Sequence, residues 1–328
     1  MIRALPMLFA CGLCACGRIG FDPNGANNGD DVASIDASGD GAMSNGAEMP
    51  GDPAAWTKFL PGAPTSADLY SVWAFSASDV WIAGAGGVTY QYNGASWVTR
   101  SGPVQDVYML WGMAPNDLWA IGRLCDVQRW NGAAWSPVTV PGCSSTSYYA
   151  VGGISANDFW IVGVGGDIRH VVGGSFTLLP QSNNVDLWAV WAVSATDAYF
   201  VGTRGTILHW NGATMLDESI GANVILSSIW GTPGDLWAVG AGGLIYRKQG
   251  NAAWAQVPSP TQTFLYWVFG TSATSVWAIG DAGVTLHYDG TSWKQVMVPA
   301  TTSLRAMAAV PGGGLRMVGH GGTLLSLP

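Results

Sequence analysis

Aspartate and histidine recur in this 328-residue chain at spacings that could serve acid–base or metal chemistry. A carboxylate beside an imidazole is a common general acid–base pair, and histidine is a frequent zinc ligand. The aspartates, however, share one position of a sequence repeat, and the histidines share another, so no repeat has more than one of either at that position. We therefore expect the histidines to lie in different structural repeats, too far apart to share one zinc, as polar side chains of strands. We interpret the aspartates as turn residues that bond their own backbone amides. The aspartates are Asp79, Asp117, Asp158, Asp197 and Asp235, and the histidines are His170, His209 and His287.

Other catalytic signals are sparse. Residues 55–328 contain one glutamate, Glu218, and neither a Gly-x-Ser-x-Gly nucleophile elbow nor a phosphate-binding loop occurs. The net charge of −8, with 13 Lys and Arg against 21 Asp and Glu, leaves no basic stripe for nucleic acid. The sequence thus predicts a protein that is not an enzyme, uses no cofactor or metal, and does not bind nucleic acid.

The elements that position these residues follow from a repeat with a period near 40. A glycine closes a tryptophan-rich phrase in each repeat, and alternating apolar residues between Gly-rich or Asp-containing turns predict about four short strands per repeat. This pattern is typical of propeller blades. We predict an all-β fold, a seven-bladed β-propeller of four-stranded blades. The central glycines are Gly84, Gly122, Gly163, Gly202, Gly240, Gly280 and Gly319.

The last repeat lacks an outer strand, and a matching phrase stands at the other end of the propeller. Trp56-Thr57-Lys58-Phe59-Leu60 resembles the outer-strand phrase Trp254-Ala255-Gln256-Val257. We therefore predict that residues 56–60 complete the seventh blade and close the ring, since closure removes exposed strand edges. The propeller domain spans residues 55–328, and we expect a monomer.

A candidate ligand site follows from one position at the start of each inner strand, here called the mouth position. Five of the seven residues there are aromatic and could form a stacking surface for a sugar or a peptide. The alternative is that they plug the channel or pack on neighbouring blades. The mouth residues are Tyr70, Tyr108, Tyr149, Trp188, Ser227, Tyr266 and Arg305, and loops on the same face add Arg123, Arg204, Asp281 and His320.

The first residues predict export and a lipid anchor. Arg3 and the short apolar run Ala4–Leu13 precede Leu13-Cys14-Ala15-Cys16, which resembles the lipobox of bacterial lipoproteins. An ordinary secretory signal is the alternative. Residues 1–15 would be the signal peptide, Cys16 would carry the lipid, and residues 16–54 would form a disordered acidic tether. By resemblance, Gly17 favours the outer membrane of a Gram-negative bacterium, with the chain on its periplasmic or outer face.

Two cysteines remain in the propeller, Cys125 and Cys143. Blade register places both in loops on one face of the second blade, and an oxidising compartment would let them pair. We predict a disulfide. The alternative is a pair of free thiols.

The repeats resemble tectonin-type and Asp-box (BNR-type) propellers. The residues that carry this resemblance are Asp79-Val80-Trp81-Ile82-Ala83-Gly84, Trp210-Asn211-Gly212 and Tyr288-Asp289-Gly290-Thr291-Ser292-Trp293, although the last lacks the full Asp-box spacing. The resemblance implies a lectin-like role, and sialidases share such propellers. A sialidase needs a tyrosine–glutamate pair and an arginine cluster, for which the sequence offers poor support. The sequence favours a surface-anchored recognition module for a glycan or peptide; the alternative is an envelope scaffold that binds another protein.

Overall fold

The chain folds into seven antiparallel four-stranded sheets arranged as blades. The structure, a computed structural model, describes residues 56–103, 105–180 and 184–328. The predicted signal peptide, Cys16 and tether lie outside these residues. The prediction of an all-β, seven-bladed propeller is confirmed.

Six blades run outward from the inner strand in chain order, and in the seventh the outer strand is the N-terminal β1. The inner strands are β2 (Leu69–Ser76), β6 (Val107–Ala114), β10 (Tyr148–Ser155), β14 (Leu187–Ser194), β18 (Leu226–Thr232), β22 (Leu265–Ser272) and β26 (Leu304–Ala309). The second strands are β3 (Asp79–Gly84), β7 (Asp117–Gly122), β11 (Asp158–Gly163), β15 (Asp197–Gly202), β19 (Asp235–Gly240), β23 (Ser275–Gly280) and β27 (Leu315–Gly319). The third strands are β4 (Thr89–Tyr92), β8 (Val127–Trp130), β12 (Ile168–Val172), β16 (Ile207–Trp210), β20 (Ile245–Gln249), β24 (Thr285–Tyr288) and β28 (Leu324–Leu327). The outer strands are β5 (Trp97–Thr99), β9 (Trp135–Pro137), β13 (Ser175–Leu178), β17 (Met215–Asp217), β21 (Ala255–Val257), β25 (Trp293–Gln295) and β1 (Thr57–Lys58).

The N-terminal strand closes the ring, as predicted. In β1, Thr57 pairs with Ser326 and Lys58 with Leu325 of β28, and the Phe59 amide donates to the Leu324 carbonyl at 3.1 Å. Trp56, just before β1, packs edge-on against Trp277 of the sixth blade, with ring centroids 5.6 Å apart. The closing strand therefore supplies both the missing edge of the sheet and an aromatic contact to the preceding blade.

The central glycines are required by a close approach of backbone. In every blade, a Cβ at this position would overlap the carbonyl oxygen of the residue that precedes the inner strand, such as Asp68 for Gly84 and Phe264 for Gly280. The next backbone amide, that of Ala85 in the first blade, donates to the same carbonyl at 2.9 Å. This contact joins the turn after the second strand to the start of the inner strand. These two segments define what we call the top face.

Aromatic side chains pack one blade on the next. Trp237, on the second strand of the fifth blade, is fully buried between Tyr288 and Trp293 of the sixth, at centroid distances of 4.8 and 5.3 Å. Trp81 lies in the same way against Trp130 and Trp135 of the second blade. Burial of such rings is the main source of stability that a repeat with few charges can use.

The recurring aspartates do not cap their own turns, so that interpretation was wrong. They bond the polar side chain twelve residues later, across the second and third strands: Asp158 to His170 at 2.7 Å, and Asp235 to both ends of the Arg247 guanidinium. Serine caps the turn amides instead, as Ser76 does for Ser78. The partner side chain also stacks on the second-strand aromatic, as His170 does on Trp160 at 4.3 Å. The three histidines lie on the third strands of three different blades, as predicted.

No helix among the described residues has the length and apolar character needed to cross a membrane.

Candidate functional site

The mouth residues share one backbone feature. In each blade the register between the first two strands shifts at the second residue of the inner strand, for example between Leu69 and Ser71 around Tyr70. The same shift occurs at the mouth position of the other six blades. A bulge of this kind re-aims the side chain of its extra residue. The fold therefore treats all seven mouth residues alike, whatever their chemistry.

The mouth residues of the first four blades form a continuous aromatic series. Ring centroids are 6.1 Å apart for Tyr70 and Tyr108, 5.6 Å for Tyr108 and Tyr149, and 4.4 Å for Tyr149 and Trp188, the last pair stacked within 9° of parallel. Each ring is at most 8% exposed. Burial raises the pKa of Tyr149 to about 12, and the Asp186 carboxylate adds to that rise. The rings thus lie against one another as a packed layer with little free face for a ligand.

The series is interrupted at the fifth blade. Ser227 is fully buried, and its hydroxyl donates to the Leu265 carbonyl at 2.6 Å, with the Val239 carbonyl 3.1 Å from the same oxygen. The small side chain therefore serves the joint between the fifth and sixth blades.

The sixth and seventh blades give the mouth a polar sector. The Arg305 guanidinium lies 3.8 Å from the centroid of the Tyr266 ring, within cation–π range, and its Nε donates to His320 Nε2 at 2.8 Å. Burial lowers the pKa of His320, and the adjacent Arg305 lowers it further. His320 Nε2 accepts a hydrogen bond here, which requires the unprotonated nitrogen. Arg305, Tyr266 and His320 therefore form one interlocked group.

The remaining predicted site residues lie in the turns between second and third strands. Arg123 is half exposed and 3.9 Å from Asp106. Asp281 accepts from the Ser303 hydroxyl at 2.7 Å. Arg204 is exposed, occupies the left-handed region at φ 60°, and makes no hydrogen bond or ion pair within the described residues. At the corresponding position four blades place glycine, while Leu124 and Ala282 share the positive φ of Arg204.

The predicted disulfide between Cys125 and Cys143 is present. It joins the turn of the second blade to the loop that leads into β10 of the third. The Cys125 amide also donates to the Thr146 carbonyl at 2.7 Å. The bridge therefore fixes one joint of the top face.

Sequence reasoning missed a set of top-face aspartates that link neighbouring blades. Asp68, Asp106 and Asp186 precede inner strands, and each accepts from the backbone amide of the preceding blade's turn: Gly321, Gly86 and Gly165, at 2.8 to 2.9 Å. All three stand sixteen residues before a central glycine, a recurrence that could have revealed them. Part of the chain's negative charge therefore comes from aspartates that have a structural role.

The top face offers recognition chemistry rather than an obvious reaction centre. Among residues 56–103, 105–180 and 184–328, no three His, Cys, Asp or Glu side chains cluster as metal ligands. Glu218 lies away from the top-face arginines, bonded to His209 and Lys248. Four exposed side chains lie in the top-face turns of the second, third and fourth blades. We call them the blade 2–4 arc: Arg123, Leu124, Val164 and Arg204. Leu124 and Val164 are 53% and 38% exposed.

No protein-family model and no curated protein matches the sequence. Solved structures do match. YCF48 from Cyanidioschyzon merolae is 17% identical over 83% of this chain and 98% of its own, with a TM-score of 0.68. The WD40 propeller domain of Doa1 is 15% identical over 83% of this chain and 95% of its own, with a TM-score of 0.71. The RRP9 WD40 repeats are 11% identical over 85% of this chain and 99% of their own, with a TM-score of 0.69. At such identities the likeness establishes the β-propeller fold, which these solved structures share with this chain.

Proposed function

We propose that this chain is a non-enzymatic recognition module that binds a polypeptide partner through the blade 2–4 arc. The observation that carries the proposal is the arc itself. It combines two exposed aliphatic side chains with two arginines, and at the turn position of Leu124 and Arg204 four other blades have glycine. Arginine and apolar side chains grouped in this way are favoured at protein interfaces.

The condition of the mouth aromatics supports a polypeptide over a glycan. Sugars stack on open ring faces, whereas these rings are buried against one another. A partner that covers the arc needs no access to them. A structure titled "YCF48 bound to D1 peptide", 17% identical with a TM-score of 0.68, lends support, since a propeller of this fold can take a peptide.

Backbone strain at Arg204 adds to the argument. A non-glycine residue at φ 60° costs on the order of 1 kcal/mol, and such strain is concentrated at functional positions. Glycine serves at the same turn position in four other blades, so the fold itself does not require arginine there. An interaction outside the monomer is the simplest reason for its presence.

The test uses a peptide library displayed on phage, panned against the immobilised full chain. Selected peptides are then measured against Arg204→Gly and Leu124→Gly, with Ala282→Gly as the matched control at the same left-handed position in the sixth blade. We expect each arc variant to weaken binding about tenfold or more, the loss of a charged or well-buried contact. The control should bind as the wild type does. All three changes relieve a positive φ, so none should lower thermal stability.

Two results would contradict the proposal. One is equal weakening by the arc variants and the control. The other is glycan-array binding that Tyr108→Ala, Tyr149→Ala and Trp188→Ala abolish together while the arc variants retain it. The second result would restore the mouth aromatics as a sugar site.

We further propose that the module is exported and anchored by lipid on Cys16, in the outer membrane of a Gram-negative cell. The lipobox-like phrase ending at Cys16 supports this. Labelling with a radioactive fatty acid should mark the wild-type chain in the membrane fraction. It should not mark Cys16→Ser, whereas Cys14→Ser should still be labelled. Labelling of Cys16→Ser would refute the anchor.

A further inference from the structure

The joint between the fourth and fifth blades differs from its neighbours at three positions of the repeat. Tyr199 stands where five blades have tryptophan. Lys248 stands where the other six have an aromatic or aliphatic residue, such as Tyr288 in the sixth blade. Glu218 occupies a backbone position held by Val138, Leu179, Val257 and Val296 in four other blades.

These three departures meet at one place. The Glu218 carboxylate accepts from His209 Nδ1 at 3.1 Å, from Lys248 Nζ at 2.9 Å, and from Trp254 Nε1 at 3.0 Å. His209 Nε2 lies 2.8 Å from Asp197, and the His209 ring stacks on Tyr199 at 4.1 Å. The imidazole of His209 therefore lies between two carboxylates, with one ring nitrogen within hydrogen-bond distance of each.

A cleft of about 350 Å³ opens beside this cluster. It lies on the bottom face, formed by turns between first and second strands and between third and fourth strands. Asp197, Tyr199, His209 and Lys248 line it, with Asn211 and Asn251 at its rim. Its volume is within the range of small-molecule sites. In a repeat protein, packing explains the residues that recur, but not a cavity lined by two of the departures, Tyr199 and Lys248, and backed by the third, Glu218, which bonds Lys248.

The polar groups around the cleft restrict the ligand. The Asp197 side chain is 39% exposed, and only its Oδ1 bonds a described residue. The Asn211 side-chain oxygen is used by the amides of Ala213 and Thr214, which leaves its NH₂ to donate. A free acceptor and a free donor at one rim suit a hydroxyl group, which can give and receive a hydrogen bond at once.

Charge argues against ionic ligands. The cluster carries charges of both signs, with the Asp197 and Glu218 carboxylates beside the Lys248 ammonium. An anion would meet the free oxygen of Asp197, and a cation would meet the lysine. Val193 and Leu236 supply an apolar wall for C–H groups.

We infer that the cleft between the fourth and fifth blades binds a neutral polyhydroxylated small molecule, a mono- or disaccharide, with Asp197 as the principal hydrogen-bond acceptor. This site is separate from the blade 2–4 arc and does not depend on a polypeptide partner there.

The experiment is a saturation-transfer NMR titration of the full chain with glucose, galactose, mannose, N-acetylglucosamine, maltose, cellobiose and lactose. Putrescine and citrate serve as cationic and anionic probes. Asp197→Asn removes the charged acceptor while keeping the side-chain shape. Asp158→Asn is the matched control, because Asp158 bonds His170 as Asp197 bonds His209, and His170 likewise stacks on its blade's aromatic.

We expect at least one saccharide to bind, and Asp197→Asn to raise its Kd roughly ten- to a hundredfold, the range for losing a hydrogen bond to a charged group. Asp158→Asn should change that Kd less than about twofold. Asn251→Trp, which places a large ring at the rim, should also abolish binding. Arg204→Gly should leave it unchanged, so that failure here and failure of the arc are told apart. Binding of no saccharide by the wild type, preference for putrescine or citrate, or equal effects of the two aspartate variants would each overturn the inference.

Discussion

The joint between the fifth and sixth blades and the joint between the fourth and fifth are built on the same backbone with opposite chemistry. In the former, Trp237 lies between Tyr288 and Trp293, and Arg247 reaches over the Trp237 ring at 4.5 Å while bonding Asp235. In the latter, a lysine and a glutamate enter the space between the blades. One joint is filled, and the other leaves a cleft.

The comparison of the two joints distinguishes residues that stabilise the fold from residues that would serve a binding site. A filled aromatic joint gains apolar burial without any charge to neutralise. A largely buried ion pair must first offset the loss of hydration, and replacing such a pair by apolar residues is often neutral or stabilising. The repeat offers the apolar solution at the neighbouring joint between the fifth and sixth blades. The retention of an ion pair between the fourth and fifth blades therefore points to a use for the cleft.

Removal of the aromatic at the filled joint should have the largest effect on stability. Trp237 is fully buried against two rings, so Trp237→Ala should lower the free energy of unfolding by about 3–5 kcal/mol. Urea denaturation followed by circular dichroism measures the change. Trp97→Ala is the matched control, because this ring lies on an outer strand and is only partly buried. A loss of less than about 1 kcal/mol for Trp237→Ala would mean that the joint is not held by its aromatics.

An intermediate effect is expected at the charged joint. Glu218→Gln leaves Lys248 and the imidazole of His209 without their shared carboxylate. Because the Glu218 side chain is about one-fifth exposed, we expect a loss of about 1–3 kcal/mol, below the full cost of breaking a buried pair. The same urea measurement applies.

A double variant sharpens this comparison. Adding Lys248→Tyr to Glu218→Gln removes both members of the ion pair. It also places at position 248 the residue type that the sixth blade has at the equivalent position, Tyr288. We expect the double variant to recover at least half of the stability lost by Glu218→Gln. A double variant no more stable than the single one would show that the charges themselves hold this joint together.

The same comparison shows what the sequence could predict. Seven blades, their closure by Trp56–Leu60 and the Cys125–Cys143 pair all follow from one period, because repeated packing leaves a repeated pattern. The pairing of Asp158 with His170 was also within reach, since the two positions stay twelve residues apart in most blades. The contact between Glu218 and Lys248 could not be predicted in this way, because the two residues belong to different blades. Their contact depends on how one sheet lies on the next.

The sequence predicts that the mouth residues lie on the inner strands, but it does not predict that their side chains are buried. The aromatic pattern gives Tyr108 and Tyr149 one position on the inner strand, yet it contains no information about the bulge at that position. The bulge turns the rings towards one another and so decides that they are buried. Burial set by a local backbone irregularity cannot be inferred from periodicity alone.

The smallest expected effect concerns the histidine of the sixth blade, where Ser275 replaces the aspartate found in other blades. His287 accordingly bonds a hydroxyl at 3.1 Å instead of a carboxylate, and burial lowers its pKa below the ordinary value of 6.5. Between that lowered pKa and 6.5, the unfolded chain binds more protons at this residue than the folded chain does. The folded state should therefore lose stability as the pH falls through this range, and this contribution should be constant above it.

The variant His287→Gln isolates this contribution, because glutamine occupies the same position in the first blade as Gln91 and does not titrate. Free energies of unfolding measured at pH 7.5 and pH 5.5 should differ less for the variant than for the wild type. Ser275→Asp should act in the same direction by giving the imidazolium a carboxylate partner, as Asp158 does for His170. If the wild type and His287→Gln show the same pH dependence, the buried imidazole of this blade carries no proton linkage. The contrast between carboxylate-bonded and hydroxyl-bonded histidines would then be one of geometry alone.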